Sequence, residues 1–447
     1  MNRFENESMM KLVLSLAIPS MIAQLVNVLY SVVDRIFVGQ IPELGNLCLA
    51  AVGVCGPIVT LLSSFGTLVG IGGSIRMSIR MGQKRSDKAS QILFNSFIML
   101  LIISLFLTVL FLCIKSNLIL WFGGSEQLFD YANTYLTIYT LGTFFALMAM
   151  GLNYFITAQG KAKTAMTTIM IGAFTNIVLD YIFIKIFNFG IAGAAWATVI
   201  AQVCSCLFAL KFLLFNAAIP LRKNTMDFHV VWNIVKLGFS PFIIIATDSI
   251  ILIAMNAILQ RFGGNQGDIL VGAVTIAQSY FLLITGPLIG ITSGTQQIIA
   301  YNFGAKRLER IKSAMKVIMI MGFSFCLIML IVSFLYSSVF VSFFTSDISL
   351  MKPAEKIIKI FSSGILFMAV QYVLVDAITA LSNVKLSLFL SMNRKAIYLL
   401  ATCLLPLLFG VNMTFFAQPI ADISASIVST ILFIKFIPSY LADNGLF

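Results

Sequence analysis

The chain reads as an all-α polytopic membrane protein of about twelve transmembrane helices, built as two parallel repeats of six. Three observations predict this: a composition too apolar to face water, apolar runs of spanning length along the whole chain, and a repetition of landmarks at half the chain length. Of the 447 residues, 60% are hydrophobic and only 10% charged. A soluble chain carries about 25% charged residues on its wetted surface. A bilayer core about 30 Å thick is crossed by roughly 20 apolar residues at about 1.5 Å each.

Windows of that length place helices near 11–36, 47–75, 91–115, 129–157, 163–187 and 190–215. A second set follows near 233–259, 269–300, 315–343, 353–381, 386–409 and 412–439. The expected organisation is a first lobe over 1–215, a cytoplasmic linker over 216–232 and a second lobe over 233–447. The opening MNRFENESMMK runs straight into the first span, without a small-residue cleavage site after a short apolar core, and is read as retained.

The net charge of +12 raises the question of nucleic acid, and its placement answers it. With both termini cytoplasmic, 22 of the 29 basic residues fall inside, among them Arg76, Arg80, Lys84, Arg85, Lys306, Arg307, Arg310, Lys385, Arg394 and Lys395. Such a bias orients a multi-pass protein in the inner or plasma membrane, so the charge is a topology signal and no nucleic-acid partner is expected. The seven cysteines sit in or beside apolar segments without metal-ligand spacing and read as small apolar residues.

At a constant shift of 222, Pro19 matches Pro241, Gly72 matches Gly294, Gly82 matches Gly304, and Ile156-Thr157-Ala158 matches Ile378-Thr379-Ala380. Six helices per half is an even number, so both halves enter the membrane from the same side. Parallel repeats of this kind rock against each other around a central site in known transporters. Residues that the halves do not share are the informative ones: Asp34 faces Asn256, Asn176 faces Tyr398, Asp180 faces Thr402, and Thr198 faces Ile420.

A carboxylate near the bilayer centre costs about 2.5–3.5 kcal/mol on insertion scales, so it faces a partner, a cavity or an ion. Asn176 and Asp180 stand four residues apart in TNIVLDYIF, on one helix face. With Asp34 and the Thr198 hydroxyl they offer hard oxygen ligands, suited to Na⁺ or to a proton shared between carboxylates. A helix–helix hydrogen bond is the alternative for Asn176 and Asp180, and a plain helix end for Asp34, which Arg35 follows. Asp248, Asp376 and Asp422 are second-lobe candidates with a structural hydrogen bond as the alternative. Gln24, Asn27 and Tyr30 precede Asp34 at steps of three or four, as on a helix lining a polar cavity. Pro19 and Pro241 interrupt the first helix of each half, as static kinks or as hinges.

At these residues the chain resembles the multidrug and toxic compound extrusion (MATE) family of antiporters. The resemblance is carried by SVVDRIFVG, LAAVGVCGPI, MGQKRS, ITAQGKAKTAM, TNIVLDYIFI and GIAGAAWATVIAQ, in order and spacing over essentially the full length. It implies two six-helix bundles forming a V-shaped central cavity, with a first-lobe cation site at Asp34, Asn176, Asp180 and Thr198. It also implies cavity positions at Tyr30 and Asn153. The segment ITALSNVKLS departs from the glycine-rich form common at its place.

The expected function is therefore ion-coupled alternating access: cationic or amphipathic compounds leave as Na⁺ or H⁺ enters, through a monomer that needs no cofactor beyond the transported ion. A lipid-linked saccharide flippase of the same superfamily is the alternative; it calls for a broadly basic cavity, whereas the intramembrane groups here read as mainly acidic. An intramembrane enzyme lacks its residues: the one histidine, His229, lies in the central loop, and no HExxH occurs. No GxxxxGK[ST] loop is present to bind ATP.

Overall fold

The computed structural model describes residues 2–42, 44–121, 126–264, 267–344 and 348–445. In the first half the helices are α1 (Asn2–Asn6), α2 (Met9–Gly39), α3 (Gly45–Gly82), α4 (Ser86–Trp121), α5 (Glu126–Leu141), α6 (Thr143–Ala158), α7 (Ala162–Asp180) and α8 (Gly190–Lys211). The second half holds α9 (Phe228–Gly263), α10 (Gly267–Gly304), α11 (Leu308–Ser342), α12 (Ile348–Ser362), α13 (Ile365–Ala380), α14 (Val384–Phe409) and α15 (Ala417–Asp443). Among the described residues, ten helical stretches are long and apolar enough to cross a bilayer, or twelve if two bent pairs each make one span. The protein is a multi-pass membrane protein.

The bent pairs correct the sequence reading, which drew the fourth span of each half as one helix. α5 and α6 meet at 55°, and α12 and α13 at 47°. The breaks fall at Gly142 and Gly364, which are equivalent at the shift of 222. Each glycine is needed because a neighbour occupies the space of a side chain: a Cβ on Gly142 would lie 2.5 Å from the Val199 side chain, and one on Gly364 2.8 Å from the Pro419 Cα. Helix ends also run past the apolar windows. Arg76 and Arg80 belong to the last turns of α3 rather than to a loop, because backbone hydrogen bonding continues after hydropathy falls.

The repeat is visible in the backbone. Left-handed residues recur in equivalent pairs: Lys84 with Lys306, Gly160 with Ser382, and Asn188 with Gly410. The first two pairs close their helices in the same way. Arg85 N–H reaches back to the Arg80 carbonyl at 2.9 Å, and Arg307 N–H to the Asn302 carbonyl at 2.9 Å. These bonds satisfy carbonyls that a helix C-terminus would leave open.

The described chain forms two compact units that do not coincide with the sequence halves. One comprises Met1–Asn6 and Ile22–Ala246; the other comprises Glu7–Met21 and Thr247–Phe447. Helix α2 passes from the second unit to the first just after Pro19, and α9 passes from the first to the second a few residues after Pro241. Within the first unit, α3 packs on α4, α5 and α6, α6 on α8, and α7 on α8; within the second, α10 packs on α11, α12 and α13, α13 on α15, and α14 on α15.

Lipid provides no hydrophobic drive between helices, so small residues that allow close backbone approach hold them together. In the first unit a Cβ on Gly238 would stand 1.9 Å from the Leu68 carbonyl oxygen, and one on Gly72 2.2 Å from that of Ile234. In the second unit Gly294 meets Ser20 in the same way, its Cβ position 2.4 Å from the Ser20 hydroxyl. Gly72 and Gly294 are the matched glycines of the repeat.

Two buried amides fasten the backbone of the segment linking the halves to the first unit, and a third, Gln91, donates to the Thr225 hydroxyl at 3.1 Å. Gln159 accepts from Ile219 N–H at 2.8 Å and donates to the Ile219 carbonyl at 3.2 Å. Asn95 donates to the Thr225 carbonyl at 3.0 Å and accepts from Asp227 N–H at 2.9 Å. Gln159 and Asn95 each pair with backbone as a strand would.

Candidate functional site

Four of the sequence-selected residues converge inside the first unit. Asp34 on α2 is 8% exposed and Asp180 at the end of α7 is fully buried, with their carboxyl groups in hydrogen-bonding reach of each other. Asn176 lies one turn before Asp180, and its amide donates to the Thr198 hydroxyl of α8 at 3.4 Å. Directly after Asp180 the helix widens into a π-helical stretch, Tyr181–Ile186. Such irregularities collect at functional sites.

The electrostatics of the cluster are unusual for a buried site. Asp34 Oδ1, both Asp180 carboxyl oxygens and Asn176 Oδ1 are buried with no hydrogen-bond donor among the described residues. Among the described residues, the basic side chain acting on the pair is Arg35, the exposed neighbour of Asp34. Buried charges are normally paired, and two carboxyls at this separation cannot both carry charge without a cation or a shared proton between them. The donors are oxygens throughout, and no group of three or more His, Cys, Asp or Glu occurs among the described residues. Carboxylate, amide carbonyl and hydroxyl oxygens fit a hard cation such as Na⁺, or a proton, rather than a soft transition metal.

Tyr30 sits one turn before Asp34, half-buried and within electrostatic reach of both acids. Asn153 on α6 is half-buried, with its side-chain Oδ1 closed off and without a donor among the described residues. Gln24 is half-buried and Asn27 exposed on α2. The sequence reading overlooked Tyr135 and Tyr139 on α5. Both are buried and stack at 6.3 Å; Tyr135 lies within electrostatic reach of Asp34, and the Tyr139 hydroxyl accepts from Gln202 at 3.3 Å. Their four-residue spacing in YLTIY was the available signal.

The second unit differs. Asp248 is half-exposed and bound by Lys395. Asp422 is fully buried and bound by Arg394 at 2.7 Å and by Gln418 at 2.9 Å. Asp376 lies within electrostatic reach of the Thr292 and Gln296 side chains of α10. Two expectations are corrected here. Arg394 and Lys395, counted with the cytoplasmic charges, sit inside α14, each about 8% exposed at the side chain; and two of this unit's three intramembrane acids, Asp248 and Asp422, are therefore paired with bases, so the set is not mainly acidic. The side chain of Asn256, the repeat partner of Asp34, lies outside the described residues.

Two helical repeats with a buried, donor-poor carboxylate pair in one of them define a class of membrane transport protein, in which intramembrane acids mark an ion or substrate pathway. The protein-family model MatE matches residues 19–182 and 245–397. The chain belongs to this family of transporters. Among curated relatives, the multidrug export protein MepA of Staphylococcus haemolyticus (strain JCSC1435) is 24% identical over 428 residues, covering 92% of this chain and 89% of that protein. MepA of Staphylococcus aureus (strain MSSA476) is 23% identical over 426 residues, covering 94% and 92%. Among solved structures, a MATE protein in complex with MaL6 matches with a TM-score of 0.92 at 22% identity, over 99% of each chain. An outward-facing multidrug resistance MATE transporter of the MOP superfamily matches at 0.91 and 22%, over 99% of this chain and 98% of that one. A MOP superfamily transporter from Pyrococcus furiosus Vc1, described as having a binding pocket of reverse polarity, matches at 0.91 and 21% over 98% of each. These structural likenesses establish the fold.

Proposed function

We propose that the chain is a secondary active exporter of cationic or amphipathic organic compounds, driven by inward movement of Na⁺ or H⁺. The observation that supports this most is the Asp34/Asp180 pair with its donor-less oxygens, since such a pair gains stability whenever a cation or proton enters. Asn176 and Thr198 complete the oxygen set, while Tyr30, Asn27, Gln24 and Asn153 line the route to it. The MepA relatives, which are multidrug export proteins, support the substrate class.

In this reading the lobes 1–215 and 233–447, joined by 216–232, alternate between two states. Capture of the ion favours one state by its differential affinity. Pro19 and Pro241 serve as hinges, since each lies shortly before the point where its helix changes unit. The protein works as a monomer in the inner or plasma membrane with both termini cytoplasmic, the orientation that its basic loops favour.

The test is transport by purified protein in proteoliposomes under Na⁺ and pH gradients imposed separately. Uptake or export of a fluorescent organic cation should respond to one gradient. A response to neither, from protein that is folded and reconstituted, would overturn ion-coupled export.

A further inference from the structure

We propose that Lys395 is a built-in competitor for an organic ammonium substrate, occupying Asp248 of the second unit until the substrate's own cationic group replaces it. This deepens the export reading above and rests on it. The two ion pairs that α14 makes in this unit are built differently, and the difference points to an exchange function for only one of them.

The Arg394–Asp422 pair is saturated. Asp422 Oδ1 accepts from Arg394 Nε at 2.8 Å and from its terminal nitrogen at 2.7 Å, while Oδ2 accepts from Gln418 at 2.9 Å. The guanidinium also lies 5.4 Å from the centre of the Tyr372 ring, and Asp422 is fully buried. Forked, planar and stacked, this pair has nothing left to offer a ligand. It is a staple between α14, α13 and α15.

The Asp248–Lys395 pair is open. Lys395 is 8% exposed at the side chain but Asp248 is 56% exposed, and the ammonium engages Oδ1. A ligand arriving from outside therefore meets the carboxylate first. Lysine is a compact charge on a flexible stem and can withdraw without breaking a forked geometry. Once withdrawn, Lys395 meets repulsion from Arg394 that outweighs the attraction of Asp422, so displacement requires an incoming cation that holds Asp248 more tightly than the lysine does. The Tyr398 ring, one turn along α14 and within electrostatic reach of Asp248, supplies an aromatic face of the kind that attracts organic cations.

The repeat argues against a purely architectural origin for the pair. At the shift of 222, Asp248 corresponds to Val26 and Lys395 to Ala173. The first unit packs the same helices without either charge. It also carries acids with no buried basic partner, whereas Asp248 already has one. The inorganic ion and the organic cation are thereby assigned to different carboxylates: the ion to Asp34/Asp180, the substrate to Asp248.

Binding of tetraphenylphosphonium to the full-length protein in detergent, at fixed Na⁺ and pH, tests this. Lys395→Met leaves Asp248 free and should tighten binding by about tenfold or more; Asp248→Asn should weaken it by a similar factor. Lys395→Arg, which keeps the pair, should bind within about twofold of wild type. The double variant Asp248→Asn/Lys395→Met removes both charges and controls for folding. Tetraphenylborate, an anion of the same shape, should not gain from Lys395→Met. Unchanged tetraphenylphosphonium affinity in folded Lys395→Met and Asp248→Asn proteins overturns the proposal, as does tightening of tetraphenylborate instead. If those variants are inert while wild-type liposomes still move the probe under an ion gradient, the exchange proposal fails and the export reading stands. If wild-type liposomes move it under neither gradient, the export reading itself fails.

Discussion

Ser382 holds a left-handed backbone turn, φ 63°, at the position where Gly160 holds φ 76° in the first half. Both close a helix against the next one: Gly160 N–H bonds the Thr157 carbonyl at 2.8 Å, and Ser382 N–H bonds that of Thr379 at 2.9 Å. The fold demands the turn twice, and the second half meets it with a residue that has a Cβ. A side chain in this region costs about 1–2 kcal/mol, and the Ser382 hydroxyl is also buried without a partner among the described residues.

Ser382→Gly should therefore stabilise the protein by about 0.5–1 kcal/mol, the relief of strain exceeding the added freedom of the unfolded chain. The reverse exchange, Gly160→Ser, should destabilise it, because a Cβ there also meets the Phe4 ring at 3.1 Å. Thermal unfolding of the two variants in detergent would move in opposite directions. A fall in midpoint for Ser382→Gly would mean that the hydroxyl makes a contact worth more than the strain.

Asp180→Asn should separate stability from transport. Asp180 is buried with neither carboxyl oxygen receiving a donor, so removing the charge should stabilise the fold by about 1–3 kcal/mol. Gradient-driven export should be lost in the same variant, since the amide cannot exchange a cation or proton. Unfolding midpoints and proteoliposome transport, measured on one preparation, check both halves of the statement. A variant that is both less stable and fully active would remove Asp180 from the proposed ion site.

The sequence made much of this visible, and the limits have physical causes. The repeat period and the convergence of Asp34, Asn176, Asp180 and Thr198 were readable, because they depend on spacing and on polar residues that stand out from an apolar background. The breaks at Gly142 and Gly364 were not, because glycine inside an apolar run leaves hydropathy unchanged. Arg394 and Lys395 were counted with the cytoplasmic charges although the 386–409 window contains them, because a basic residue gives the same topology signal whether it faces water or a buried carboxylate. Their partners, Asp422 and Asp248, lie 28 and 147 residues away, a relation that no local pattern encodes.

The linker gives a prediction of a different kind. Arg222 and Lys223 lie between its two anchor points, Ile219 on Gln159 and Thr225/Asp227 on Asn95. Asn95→Ala removes one anchor and should speed tryptic cleavage at those two residues severalfold, with little change in overall unfolding. The reasoning is that local opening, rather than global unfolding, limits cleavage of an exposed segment held by a few hydrogen bonds. Gln159→Ala should add to the effect, the two anchors being independent. Equal cleavage rates in wild type and the double variant would show that the linker is held by something other than these amides.

Gly238 separates close packing from mere helix propensity. Its Cβ position lies 1.9 Å from the Leu68 carbonyl oxygen and 2.7 Å from the carbonyl carbon, both backbone atoms that cannot turn aside. Gly53, in α3, has nothing within 4 Å of the same position. Alanine improves helix propensity at both sites by about 1 kcal/mol. At Gly53 that gain should appear, as a modest rise in the unfolding midpoint. At Gly238 it should be overwhelmed, because the two helices must separate to admit the methyl group, at a cost of about 1–3 kcal/mol or more, and small residues are what hold helices together in lipid. Folded yield and thermal midpoint of Gly238→Ala should both fall, while Gly53→Ala keeps its yield. If the two variants behave alike, the approach of α9 to α3 at Gly238 is not what binds that helix into the first unit.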